Sequence, residues 1–139
     1  MKKFGYSGTS LTKKLGIKSG DRIRIIQAPE HYFDLFEDWP EQVTIDKRKT
    51  LPKNLIHVFS KESGFLKEQL LLLKTEIATN GMIWVSWPKK ASKVPTDITE
   101  DMIRQLALSI GLVDVKVCAV DDVWSGLKLV IPVKNRKDQ

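Results

Sequence analysis

The run MIWVSWP at residues 82–88 constrains the fold of this 139-residue chain more than any other stretch. It is apolar at almost every position, so a strand made of it needs cover on both faces, which is typical of a central strand in a layered α/β sheet. Pro88 closes the strand, because proline has no backbone N–H to offer a neighbouring strand. The sequence therefore predicts a sheet that is covered on both sides.

Short runs rich in β-branched residues predict five more strands around this one. They cover residues 22–28, 42–46 and 55–60, followed by two alternating strands within VDVKVCAVDDVWSGLKLVIPV at 113–133. The last two strands are joined by a link placed at Trp124 to Gly126, which is short enough to make the pair antiparallel.

Apolar residues at helical spacing predict helices between the strands. Residues 11–15 form a short helix behind Thr9 or Ser10, and the aromatic residues of HYFDLFEDWP form another that ends before Pro40. A helix capped by Thr99 carries two acids in its first turn and ends at Gly111.

The longest predicted helix covers residues 62–79. Ser60 or Ser63 caps its start and Gly81 follows its end. Its buried stripe consists of Leu66, Leu70, Leu73 and Ile77.

This order of elements is typical of an α/β domain with a mostly parallel sheet, helices on both faces and an antiparallel strand near one edge. A chain of this length buries roughly two thirds of its unfolded surface in a single core. We therefore expect one domain over residues 1–139, with flexible ends at 1–8 and 134–139.

Composition favours some partners over others. A net charge of +6 favours an acidic partner, a small anion or an acidic protein surface, but acids cluster between Ile25 and Ile45, where there is no Lys or Arg. That cluster makes nucleic acid an unlikely partner. No apolar run approaches the roughly 18 residues of a membrane span, and the single cysteine, Cys118, cannot form an internal disulfide. We expect a cytoplasmic protein without a membrane partner.

The stretch LGIKSGDRIRII at residues 15–26 resembles the entry to the first strand of class I S-adenosylmethionine-dependent methyltransferases. GMIWVSWP, GLVDVKV and the closing SGLKLVI resemble the final strands and hairpin of that Rossmann-like fold. The resemblance implies a shortened domain with the strand order 2-1-3-4-6-5. Strands 1 and 3 then flank the topological switch point, where such sheets bind their ligands.

The cofactor loop of that family has no counterpart in this chain. Residues 27–30 after the first strand are Gln27, Ala28, Pro29 and Glu30, with no glycine to allow close approach and a proline that removes a donor. Asp46 lies nineteen residues beyond Gln27, where the resemblance implies an acid that binds a ribose, although an aspartate that ends a strand is more often a turn former. The missing glycines count against methyl transfer, and we expect no cofactor.

Three longer stretches resemble a bacterial family of small proteins known only as a domain of unknown function. They are GYSGTSLTKKLGIKSG, WVSWPKKASKVPTDITED and GLVDVKVCAVDDVWSGLKLV. The resemblance implies no activity, so it assigns no catalytic residue.

Parallel strands deliver their carboxyl ends to one edge, so residues 27–31, 46–49, 60–62 and 87–90 should form a common rim. Helix 62–79 would start there and offer free N–H groups to an anion. The candidate ligand-binding residues are Gln27, Glu30, His31, Asp46, Ser60, Trp87, Lys89 and Lys90.

Each candidate also has a plainer interpretation. Lys89 and Lys90 suit a phosphate or carboxylate, or they are solvated residues after a buried strand. His31 at the rim is the only histidine placed for acid-base work, or it is a surface histidine without a nucleophile beside it. His57 within a strand is a packed residue, and two distant histidines support no metal site. Cys118 is predicted to be a small buried hydrophobic residue.

These observations leave three functions open. A non-catalytic domain that binds a small anion or a protein at the rim ranks first, a reduced S-adenosylmethionine-dependent methyltransferase second, and nonspecific nucleic-acid binding through residues such as 47–49 third.

Overall fold

A single six-stranded sheet organises the protein, whose computed structural model describes residues 9–136. The strands are β1 (Arg22–Ile26), β2 (Thr44–Ile45), β3 (Lys53–Phe59), β4 (Ile77–Pro88), β5 (Val113–Ala119) and β6 (Trp124–Val130). The α-helices are α1 (Leu11–Leu15), α2 (Ser63–Leu73) and α3 (Glu100–Ser109), and the short 3-10 helices are Tyr32–Leu35, Lys90–Ser92 and Val133–Asn135.

The order across the sheet is β2-β1-β3-β4-β6-β5, which confirms the predicted order. β1 is parallel to β2 and β3, and β3 is parallel to β4. β6 is antiparallel to β5, as the short link in the sequence predicts, and it is also antiparallel to β4. The register of β5 shifts between Asp114 and Lys116.

β4 is a central strand with cover on both faces. Ile83 and Val85 belong to a core formed with α2 and α3, whereas Trp84 belongs to a second core on the opposite face. The indole Nε1 of Trp84 donates to the carbonyl of Leu15 at 2.9 Å, which satisfies the one polar group of the buried ring. The prediction from residues 82–88 is confirmed.

Helix α2 is shorter than predicted. Its stripe of Leu66, Leu70 and Leu73 is fully buried, but the helix ends at Leu73 and the chain is back in a strand at Ile77. Ile77 is buried through pairing with Lys53 of β3, and Thr75, Ile77 and Thr79 are β-branched residues that fit a strand. The prediction of a helix over 62–79 is wrong at its end.

Gly81 therefore does not end a helix. It lies inside β4, opposite the register shift between Lys53 and Leu55 of β3. A Cβ at Gly81 would lie 2.7 Å from the carbonyl oxygen of Lys53 and 3.0 Å from that of Ala78. The close approach of two backbones requires a glycine here.

The final hairpin turns earlier than predicted. Residues 120–123 form the turn, and Trp124 already begins β6. The side chain of Asp121 causes this, because its Oδ1 accepts from the backbone N–H of Val123 and of Trp124, both at 2.8 Å.

Other boundaries differ by a few residues. β1 ends at Ile26, because Gln27 has a positive φ of 56°, and β2 has two residues. β3 starts at Lys53, and the predicted aromatic helix is a single 3-10 turn in which Tyr32 is buried and Phe33 is exposed.

The chain ends are described in part. Residues 1–8 and 137–139 of the expected flexible ends lie outside the described residues. Within residues 9–136, no helix has the length and apolarity that a bilayer crossing requires.

We expect Gly81→Ala to lower the free energy of unfolding by about 1–3 kcal/mol, because the new methyl group meets backbone atoms that cannot move independently. The matched control is Gly64→Ala in α2, where nothing lies within 4 Å of the added carbon. The control should keep or raise the stability, and urea denaturation measures both variants. Equal stability of the two would contradict the close approach inferred at Gly81.

Candidate functional site

An open crevice of about 1110 Å³ lies at the carboxyl ends of β1 and β3. The chain leaves β1 for β2 on one side and returns to β3 on the other, so the strand order reverses at this point. Residues 27–29, 59–62 and 95–97 line the crevice together with Trp124. Ligands of open α/β sheets bind at such a switch point.

Gln27 joins the two strands that flank the crevice. Its Nε2 donates to the carbonyl of Phe59 at 3.2 Å, so its side chain spans the gap between the ends of β1 and β3. Its backbone is left-handed, with φ 56°, a conformation that costs on the order of 1–3 kcal/mol in a residue other than glycine. Pro29 follows in the lining and has no N–H to donate.

The start of α2 lies at the crevice, but a carboxylate from the chain already binds it. Asp97 accepts from the backbone N–H of Ser63 at 2.8 Å and from its hydroxyl at 2.7 Å. These hydrogen bonds hold the pKa of Asp97 below its usual range. The sequence predicted that N–H groups at the start of α2 bind an external anion, but the N–H of Ser63 donates to Asp97 of the same chain.

Ser60 lines the crevice without capping α2. Its hydroxyl donates to the carbonyl of Glu62 at 2.8 Å and accepts from the N–H of Glu62 at 3.1 Å. The prediction of Ser60 or Ser63 as the cap is wrong, because Asp97 from the loop after β4 takes that place.

Trp124, not Trp87, is the tryptophan that lines the crevice. Trp87 is buried in the core with α2 and α3, whereas Trp124 lines the crevice and packs edge-on against Phe59, with ring centroids 5.0 Å apart. The link predicted at Trp124 to Gly126 puts Trp124 in a turn instead. Asp121 and Asp122 are residues typical of turns, and they indicate a turn just before Trp124, which then starts a strand.

His31 lies beside the crevice but does not line it. Its Nε2 is 2.9 Å from Oδ2 of Asp121, whose other oxygen holds the backbone of Trp124. The pair connects the loop after β1 to the turn before β6. Asp121, the partner of His31, thus positions Trp124 in the wall of the crevice.

Lys89 and Lys90 follow β4 at the same end of the sheet without lining the crevice. The backbone N–H of Lys89 donates to Val123 at 2.7 Å, and Lys90 starts a 3-10 turn with an exposed side chain. Glu30 is likewise exposed outside the lining.

Asp46 lies away from the crevice. β2 pairs only with Arg22 and Ile23, the first residues of β1, so Asp46 stops short of the carboxyl edge. Its carboxylate accepts from Nε and Nη2 of Arg48 at 3.1 and 3.0 Å, and these bonds lower its pKa to about 2. The short β2 is the physical reason that Asp46 does not reach the position of a ribose-binding acid.

A buried polar chain crosses the second core behind the crevice. The hydroxyl of Tyr32 is 3.0 Å from Nδ1 of His57, and Nε2 of His57 is 2.8 Å from the hydroxyl of Ser86. All three side chains are buried, and burial lowers the pKa of His57 to about 3 and raises the pKa of Tyr32. His57 is a packed strand residue, as predicted.

Cys118 does not line the crevice. Cys118 is half-buried against the second core, and burial raises the pKa of its thiol. Within residues 9–136, no three His, Cys, Asp or Glu side chains come together as a metal site requires.

Several solved structures with a similar fold are methyltransferases. An S-adenosylmethionine-dependent methyltransferase from Aquifex aeolicus has a TM-score of 0.63 at 12% identity, over 87% of this chain and 88% of its own. The complex of DhpI with SAH has a TM-score of 0.57 at 7% identity, over 88% and 83%. Precorrin-6y C5,15-methyltransferase from Geobacter metallireducens GS-15 has a TM-score of 0.55 at 11% identity, over 92% and 93%.

These likenesses define the fold as the Rossmann-like fold of class I S-adenosylmethionine-dependent methyltransferases. No family model and no curated protein matches the chain. The resemblance to a small bacterial family stays a prediction.

The crevice does not fit the family's cofactor in two respects. The loop after β1 has no glycine, and Gln27 bridges the gap that a cofactor would approach. The acid expected for the ribose, Asp46, is bound to Arg48 at another part of the sheet. The fold is that of the methyltransferases, but these two elements of cofactor binding are missing.

We expect the free energy of unfolding to fall as the pH is lowered from about 6.5 towards 3, because the unfolded chain protonates His57 and the folded chain does not. The slope from this one group is up to about 1.4 kcal/mol per pH unit. Urea denaturation between pH 7 and pH 5, above the range of most carboxylates, measures it. His57→Gln removes the group and should flatten the slope, so an unchanged slope in this variant would assign the effect elsewhere.

Proposed function

We propose that this chain is a non-catalytic binding domain with a methyltransferase-like fold, and that its ligand binds in the crevice between β1 and β3. The observation that carries the proposal is the volume of about 1110 Å³ at the switch point of the sheet, next to strand ends that are braced by Gln27. The range for ligand pockets in proteins is about 300–1,000 Å³, so an open crevice of this size accommodates a small organic molecule.

The lining combines an apolar wall with a polar edge, as small-molecule sites do. Pro29, Phe59 and Trp124 form much of the wall, and the hydroxyls of Ser60 and Thr96 lie at the edge. Such a site suits a ligand with a planar or apolar body that packs against the proline and the indole.

The charged residues of the lining are Lys61, Glu62 and Asp97. Lys61 is the exposed cation among them and suits a negative group of a ligand, whereas Asp97 accepts from Ser63 and Glu62 remains as an exposed acid. The low pKa of Asp97 makes it a weak base, and His31 is outside the lining. These features support binding without catalysis.

Lys61→Ala should weaken binding of such a ligand about fivefold, the effect of one solvated charge pair, without changing the melting temperature of the free protein. A thermal-shift screen of nucleotides, methyl donors and acidic metabolites supplies the ligand. Lys90→Ala is the comparison: normal binding by this variant supports the crevice, whereas a loss assigns binding to the outer rim with Lys89 and Lys90. Unchanged binding in both variants would contradict both the crevice and the outer rim as the binding site.

A reduced methyltransferase is the second candidate. The observation in its favour is that three similar methyltransferases, from the comparisons above, match this chain over 83% to 93% of their own lengths. The missing glycine loop and the position of Asp46 weigh against it.

Calorimetry with S-adenosylmethionine and its demethylated product tests this candidate. Ligand at about a hundred times its dissociation constant stabilises a protein by roughly 2.7 kcal/mol. If the chain is a non-catalytic domain that has lost this cofactor, we expect neither binding heat nor a thermal shift. Saturable heat with either compound would favour the methyltransferase candidate.

A further inference from the structure

Two lysines lie directly opposite each other on the β5–β6 hairpin. Lys116 of β5 pairs with Lys128 of β6. Opposite residues of antiparallel strands have Cβ atoms about 4.5–5.5 Å apart, and like charges in such a pair destabilise the sheet. The two ammonium groups therefore repel each other unless a negative charge lies near them.

The strands themselves supply no compensating acid. The register shift between Asp114 and Lys116 turns Asp114 to the opposite face, where its carboxylate accepts from Nε of Arg104 at 3.0 Å. Lys128 is paired with Trp84, so the two lysines lie on the face of the second core.

Two further cations join this pair from other segments. Lys18 comes from the loop before β1, and Arg136 comes from the segment after β6, where its Nε donates to the carbonyl of Ile131 at 2.8 Å. Burial lowers the pKa of Lys128, and the charges of Lys116, Arg136 and Lys18 lower it further. These three neighbouring charges are all positive.

The acid nearest to Lys18 in the sequence, Asp21, already has a partner. Asp21 accepts from the backbone N–H of Lys18 at 2.9 Å through Oδ2. The carboxylate thus binds the backbone of this loop, and the ammonium group of Lys18 remains exposed.

We infer that Lys18, Lys116, Lys128 and Arg136 form a binding site for a compact, multiply charged anion of the phosphate class, such as a diphosphate group. Strand pairing fixes two of the cations at one cross-strand spacing, which suits a single small anion rather than an extended chain. A guanidinium group binds phosphate oxygens through paired donors, and Arg136 supplies one whose Nε donates to the carbonyl of Ile131. None of the four lines the crevice, so this site is independent of the proposed function.

The test is thermal unfolding of the full chain with pyrophosphate, at an ionic strength held constant with chloride. The double variant Lys116→Gln/Lys128→Gln is compared with Lys67→Gln/Lys49→Gln, which removes two exposed lysines elsewhere and lowers the net charge equally. Pyrophosphate should raise the melting temperature of the wild type and the control, with an apparent affinity about tenfold weaker in the first double variant. ADP in place of pyrophosphate distinguishes a nucleotide, which would bind more tightly, from free diphosphate.

A second measurement keeps the inference testable if a variant is unstable. The pKa of Lys128, followed by NMR of its side chain, should rise when pyrophosphate is added to the wild type and should rise in ligand-free Lys116→Gln. Equal pyrophosphate effects in the two double variants, or a pKa of Lys128 that does not respond, would overturn the site. A response to an oligonucleotide or an acidic protein but not to pyrophosphate would also overturn it.

Discussion

The fold depends on the burial of β4 on both faces. Its residues pair with β3 in parallel and with β6 in antiparallel register, so this strand joins the two halves of the sheet. Ile83 and Val85 pack under α2 and α3, and Trp84 packs under α1. Each such side chain contributes on the order of 1.5–3 kcal/mol by leaving water. The carboxyl ends of β3 and β4 are aligned because these contacts fix their register, and the crevice exists at that edge.

Polar groups around the crevice are satisfied by the chain itself. Gln27 binds the end of β3, Asp97 binds the start of α2, and Asp121 binds both His31 and the backbone of Trp124. In a methyltransferase fold, free backbone donors near the first loop hold an anionic or polar ligand. Here the polar groups of the same region bind one another through internal hydrogen bonds. The apolar wall is therefore the main contact surface for a ligand.

The sequence predicted the strand order and the central strand, because burial patterns and the resemblance to known methyltransferases carry that information. It did not predict the end of α2, since Ile77 fits the apolar stripe of a helix as well as it fits a strand. It also could not predict that β2 has two residues. A strand of that length brings Asp46 only to the amino-terminal half of β1.

The residues of the candidate site were predicted less well than the fold, because the sequence indicates where a residue lies along a strand but not where its side chain points. Position along a strand indicates which edge a residue approaches, and Gln27 and Ser60 do line the crevice at that edge. The direction of a side chain depends on the partner that it finds. Trp87 turns into the core, and Trp124 reaches the crevice because Asp121 sets the turn before it.

The register shift in β5 has a consequence for self-association. β5 is the last strand of the sheet, and Val115 and Val117 are exposed on it. A regular edge with two exposed valines is a template for strand exchange and fibre growth. An irregularity between Asp114 and Lys116 interrupts that template, because an unpaired residue bends the strand and breaks the even spacing of its outer N–H and C=O groups.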